Sequence, residues 1–138
     1  MYTVLVPVDD DDARTAAQID FLTSIPVVEE ECSVTVTHVL RDAGEDAPSA
    51  MRRPDRVRTV NRAVETFEER GYDVHVRGAS APPAEGILDM AEEIEADLVV
   101  MGGRKRRPSG KALFGSVTQT VVLDADVPVV VTGQQSGE

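Results

Sequence analysis

The sequence has no tryptophan, one cysteine and only two lysines, Lys105 and Lys111. A single Cys32 excludes an internal disulfide and any metal site built on cysteine pairs. Beside a predicted strand it reads as core filling rather than as a nucleophile. Aromatic residues make up only 4% of the chain, so the core must be aliphatic. No apolar run reaches the ~20 residues that a membrane-spanning helix needs. The chain opens directly on the strand-like run 2–8, and nothing there has the make-up of a signal peptide. A cytoplasmic protein with no membrane partner is expected.

Positive charge is scarce as well. Twenty-five acidic residues stand against 14 basic ones, for a net charge of −11. Nonspecific nucleic-acid binding needs clustered positive charge, so this balance argues against a nucleic-acid partner. Abundant carboxylate with little lysine fits adaptation to concentrated salt, as in halophilic archaea, where the Debye length shrinks to about 3 Å at 1 M. An ordinary acidic cytosolic protein would show the same numbers.

What remains is enough for one folded unit. With 41% hydrophobic residues, 138 residues suffice for a single domain, 1–138, with a real core. The run 2–8 reads as a strand and the acidic "DDDD" at 9–12 as a loop. Ala13, Ala16, Ala17 and Phe21 would share one face of a first helix. A second strand is expected over 33–40, then a flexible loop over 41–56, polar and containing Gly44 and two prolines. Val57, Val60, Val64 and Phe67 mark a second helix, which Gly71 stops. A third strand covers 73–77. Pro82 and Pro83 open a third helix, whose Ile87, Met90, Ala91 and Ile94 form an apolar stripe. Strand 97–101 is continuously apolar after Asp97, so burial on both faces is expected. A fourth helix over about 117–124, a last strand over 127–132 and a fraying tail at 133–138 complete the chain. His38 and His75 both fall in strands with no cysteine or second histidine at ligand spacing, and read as structural.

Strands alternating with helices predict an α/β fold: a parallel sheet covered on both faces. In such sheets ligands sit beyond the carboxyl ends of the strands where the strand order reverses. For the order 3-2-1-4-5 that crevice lies between the first and fourth strands, walled by the loops after Val8 and after Met101.

The second of these loops, within "MGGRKRRPSGKALFGSVTQTVV" (101–122), concentrates glycine and basic charge. It is not a dinucleotide fingerprint, because the first strand runs into "VDDDD" rather than a glycine-rich turn. It is not a Walker loop either: six residues separate Gly103 from Gly110-Lys111, and Ala112 stands where a hydroxyl would bind Mg²⁺. The remaining pattern is Gly102 at a strand end and Gly115-Ser116 opening a helix. Ser116 and Gln119 have capping-box spacing. A helix start offers free backbone amides and about half a positive charge, which suits an anion. The same residues would also serve simply to turn and cap the chain.

"VLVPVD" (4–9), "THVL" (37–40), "ILDMAEEIEADLVVMGG" (87–103), "FGSVTQTVV" (114–122) and "DVPVVV" (126–131) together resemble the universal stress protein family. The resemblance runs over nearly the whole chain and is weakest at 41–56. It implies a Rossmann-like, adenine-nucleotide alpha-hydrolase-like fold, with a five-stranded parallel sheet in the order 3-2-1-4-5. The nucleotide-binding branch carries G-x-x-G, nine residues, then G-[ST] around the phosphates of ATP. Gly102 matches the first glycine, Gly115 the third and Ser116 the hydroxyl, whereas Lys105 replaces the second glycine. That side chain would either block ATP or contact a phosphate as a point charge, with Arg104 beside it.

By the same resemblance Asp9 would lie by the ribose and adenine, Pro7 and Val8 beside it, and Val39 at the base. Met101 would line the pocket, and Val117 and Thr118 would extend the phosphate-side helix start. Asp10 and Asp11 depart from the family's usual Gly-Ser and add negative charge, which Mg²⁺ or K⁺ could bridge. Each is equally explicable as halophilic surface.

The resemblance implies a regulatory protein of the stress response that binds ATP or ADP, or else a dimeric interaction module that has lost nucleotide. At most weak ATP hydrolysis is expected, because no positioned general base or Walker-type Mg²⁺ ligand stands out. A homodimer through the C-terminal strand is expected, since "VPVVV" left unpaired would be an exposed apolar edge, together with an unidentified protein partner.

Overall fold

Short β-branched runs and amphipathic segments alternate along the chain, and each adopts the element its pattern favours. The computed structural model describes residues 1–38, 57–79, 82–103 and 115–133. Its strands are β1 (Tyr2–Val8), β2 (Cys32–His38), β3 (Asp73–Val76), β4 (Leu98–Gly102) and β5 (Val129–Thr132). Its helices are α1 (Asp12–Ser24), α2 (Arg58–Glu69), α3 (Pro83–Glu93) and α4 (Ser116–Asp124). The strands form one parallel sheet in the order β3-β2-β1-β4-β5. The expected loop 41–56, Val39, the basic positions Arg104 and Lys105, and the tail beyond Gly133 lie outside the described residues.

Alternation along the strands sends side chains to two cores. Val4, Val6 and Val8 join Val34, Val36, Leu98 and Val100 on one face, beneath Ile19 and Leu22 of α1 and Val60, Ala63 and Phe67 of α2. Leu5, Val99 and Met101 face the other way, against Ile87, Met90 and Ala91 of α3 and Val121 of α4. The central strands are therefore buried on both sides, as their unbroken hydrophobicity predicts. β3 and β5 are the edges, and their side chains are mostly half-buried or exposed.

α1 corrects the sequence reading. Ala13 is exposed and Ala16 and Phe21 are half-buried, while Thr15, Ala17, Gln18, Ile19 and Leu22 point inward. The helix turns a polar side chain into the sheet because the sheet has carbonyls to satisfy there.

Two helices end in the same device. At α2 the Gly71 amide bonds Glu68 O at 3.1 Å and the Tyr72 amide bonds Phe67 O at 3.1 Å. At α3 the Glu95 amide reaches Glu92 O at 3.1 Å and the Ala96 amide reaches Ala91 O at 2.9 Å. Both are Schellman closures, which need one residue in the left-handed region. Gly71 supplies it at φ 98° and Glu95 at φ 52°. The Phe67 and Tyr72 rings meet edge to face at 5.5 Å, the apolar contact that accompanies the motif.

Candidate functional site

The crevice is built by strands that part company. β1 pairs with β2 along its whole length, to Val8 beside His38. Its ladder with β4 covers only Val4–Leu98 and Leu5–Val99, while β4 stays paired with β5 as far as Gly102 beside Thr132. Beyond Leu5 and Val99 the two central strands therefore separate towards their carboxyl ends, at the point where the strand order reverses.

Gln18 fills the base of that split. Its Nε2 donates to Pro7 O at 2.6 Å and to Val100 O at 2.9 Å, bridging one carbonyl from each diverging strand. The side chain is 1% exposed. No local signal in the sequence marks this role, because a lone glutamine in a helix normally faces water.

The four aspartates after β1 each have a task, so they are more than acidic surface. Asp9 Oδ1 accepts the Asp11 amide at 2.9 Å, and its Oδ2 accepts Arg14 Nε at 2.8 Å. The Asp9 carbonyl accepts the Thr59 hydroxyl, which ties the loop to α2. Asp10 Oδ1 lies 2.9 Å from Nε2 of buried His38. Asp11 is the N-cap of α1 and accepts the Arg14 amide at 2.9 Å. Asp12 pairs with Arg58 on the surface at 3.0 Å. At the end of β2 two buried polar atoms, Thr37 Oγ1 and His38 Nδ1, have no hydrogen-bond partner among the described residues. His75 is exposed and pairs with Asp73 on the far edge of the sheet.

Across the crevice, Met101 is buried and Gly102 is the last residue of β4. A Cβ on Gly102 would stand 3.2 Å from Gln18 Oε1 and 3.4 Å from Arg14 Cβ, so the first turn of α1 lies directly against it. The sterically strict glycine is its neighbour. A Cβ on Gly103 would come within 2.5 Å of Thr132 O, the atom its own amide bonds at 2.9 Å. The motif reading of the sequence passed over Gly103.

The start of α4 also differs from expectation. Gly115 is the N-cap, with φ −66° and ψ 161°, and its carbonyl accepts the Gln119 amide at 3.0 Å. Ser116 therefore lies inside the helix, and the capping box suggested by Ser116 and Gln119 does not form. A glycine cap has no side chain to offer, so among the described residues nothing accepts from the amides of Ser116, Val117 and Thr118. The Thr118 hydroxyl lies 3.4 Å from Gly102 O, which stitches this helix start to the end of β4.

Pro7, Val8, Asp9, Met101, Gly102, Gly115, Ser116, Val117 and Thr118 thus come from three elements that meet at the carboxyl end of the sheet. Among the described residues no group of three or more His, Cys, Asp or Glu side chains could hold a metal ion, and no helix is long and apolar enough to cross a membrane.

Architecture and crevice define a doubly wound α/β protein whose strand order reverses between β1 and β4. The universal stress protein family model matches residues 1–133, and the chain belongs to that family. A universal stress protein of Methanocaldococcus jannaschii is 27% identical over 103 residues, 75% of this chain and 54% of that protein. The chain spans about half the length of the curated relatives it matches. Among solved structures, a universal stress protein from Archaeoglobus fulgidus is 27% identical with a TM-score of 0.70, covering 96% of this chain and 98% of that one. The Archaeoglobus fulgidus protein in complex with dAMP is 24% identical with a TM-score of 0.66, over 96% and 98% of the two chains.

Proposed function

We propose that this chain binds an adenine nucleotide, ATP or ADP, in the crevice between β1 and β4 and acts as a regulatory protein of the stress response. The observation that carries the reading is the start of α4. Its cap is a glycine, its first amides meet no acceptor among the described residues, and it is fastened beside the end of β4. Such a helix start receives phosphate oxygens. Ribose hydroxyls would donate to the Asp9 carboxylate, and Pro7, Val8 and Met101 would form the apolar wall. Val39 at the base, and Arg104 and Lys105 at the phosphates, complete the set that the family resemblance implies. Mg²⁺ would enter with the phosphates. The dAMP complex of the Archaeoglobus fulgidus protein supports the ligand class.

The test is to purify the protein in high KCl, precipitate it by heat and analyse the supernatant for adenine nucleotides. A companion measurement follows the melting temperature with Mg-ATP. A ligand at 100 times its Kd that binds only the folded state adds about 2.7 kcal/mol. No released nucleotide together with no shift in melting temperature would refute the reading.

A second reading, a dimeric interaction module without nucleotide, draws on β5. This edge strand carries the half-buried Val129, Val130 and Val131, and an unpaired apolar edge favours association with a second copy. The dimer is compatible with nucleotide binding, so the melting measurement separates the two readings.

A further inference from the structure

We infer that Arg14 is the specificity-determining residue of this site, a guanidinium that favours nucleotides with more phosphates. The inference rests on the nucleotide reading above and extends it to a residue outside the family motif. Arg14 lies in the first turn of α1, where its Cβ stands 3.4 Å from the position a Gly102 Cβ would take. Gly102 in turn accepts from Thr118 at the start of α4. Arg14 and the first amides of α4 therefore adjoin the same strand end, from the two sides of the sheet.

Among the described residues the guanidinium is held by one edge. Nε donates to Asp9 Oδ2 at 2.8 Å, and the nearest approach to Asp11 Oδ2 is 3.7 Å, beyond hydrogen-bond reach. Arginine has five N–H donors, and this arrangement orients the fork while committing a single donor to Asp9. Four aspartates in a row would repel a polyphosphate; a cation locked onto the first of them offsets one of those charges and brings N–H donors to where the phosphates would lie. The same bond occupies one lone-pair position on Asp9, so the carboxylate is less available to ribose hydroxyls. Both effects push selectivity in one direction, away from adenosine and towards ATP.

The experiment measures adenosine, AMP, ADP and ATP binding by calorimetry at one fixed KCl concentration, for the wild type, Arg14→Ala and Arg14→Lys. Circular dichroism and thermal melting verify that each variant is folded. For the wild type, affinity should rise from AMP to ATP. Arg14→Ala should weaken ATP about tenfold or more, the usual loss for a hydrogen bond to a charged group, and leave adenosine unchanged or tighter. Arg14→Lys should recover part of the ATP affinity, because it restores charge but not the fork. If Arg14→Ala binds ATP and AMP in the wild-type ratio, the role of Arg14 is overturned while the nucleotide reading stands. If the wild type binds none of the four, both fall. Should Arg14→Ala fail to fold, a wild-type ATP:AMP ratio in folded Arg14→Lys is equally fatal to the inference.

Discussion

At the scale of single residues, the side chains that matter most are those whose chemistry runs against their surroundings. Gln18 is a polar group in an aliphatic core, and it joins the two strands where their ladder stops. Gln18→Leu keeps the volume but strips a donor from two buried carbonyls, at about 1–3 kcal/mol for each group left unsatisfied. A urea denaturation midpoint within error of wild type would refute this bridging role. Glu95 presents the opposite case. Its left-handed backbone performs the task that Gly71 performs at the preceding helix. Glu95→Gly should therefore stabilise by about 1 kcal/mol, and Gly71→Ala should cost about as much; chemical denaturation of the pair reads both signs.

Burial pushes the Cys32 thiol above its ordinary value, and Tyr72 moves the same way, through burial first and then the charge of Glu29. The folded chain thus holds these protons more tightly than the unfolded one. The stability involved is complete below the unfolded thiol value of about 8.5 and is lost as pH rises through the folded value. Stability should fall above about pH 8.5, and Cys32→Ala should flatten the first part of that fall.

At the scale of elements, the order of strands and helices was legible because aliphatic runs and helical stripes alternate without ambiguity. β4 shows this best: its four consecutive apolar residues admit few placements other than the middle of a parallel sheet. The site was legible in outline only. Asp9, Gly102 and Gly115 were candidates because a motif names them. Gln18, Arg14 and Gly103 were missed because their roles depend on atoms distant in sequence: the carbonyls of Pro7 and Val100, the carboxylate of Asp9 and the carbonyl of Thr132. Capping-box spacing misled at α4, because Gly115 takes the cap position one residue earlier and leaves Ser116 within the helix.

The register of β5 yields a prediction about the proposed dimer. Pro128 O accepts from Val99 of β4, and Thr132 O from Gly103 just beyond it. By the alternation of a parallel ladder Val130 also faces β4, whereas the backbone groups of Val129 and Val131 face outward. Val131→Pro therefore removes a donor from the free edge and spares the internal ladder. Light scattering should show a dimer for wild type and a folded monomer for Val131→Pro. A folded, fully dimeric variant would place the interface elsewhere.

At the scale of the whole molecule, the dominant quantity is a net charge of −11 on a 138-residue chain. Packing the chain into a small volume brings those charges together, and their mutual repulsion opposes folding. The local ion pairs relieve only part of it. Arg14 with Asp9, Arg58 with Asp12 and Arg77 with Glu93 consume basic residues that are already outnumbered. Raising KCl shortens the Debye length from about 10 Å at 0.1 M to about 3 Å at 1 M, so repulsion between distant carboxylates fades while the close pairs persist. The melting temperature should climb over that interval and then level off.

Screening is separable from general salting effects by changing the protein rather than the salt. Asp20 and Glu65 are exposed and sit within α1 and α2, away from the crevice. The double variant Asp20→Lys, Glu65→Lys makes the net charge less negative by four and touches no core residue. It should melt higher than wild type at 0.1 M KCl, with the gap narrowing steadily towards 1 M. Parallel melting curves at every salt concentration would mean that long-range repulsion contributes little, and that the excess of carboxylates has consequences for solubility rather than for the stability of the fold.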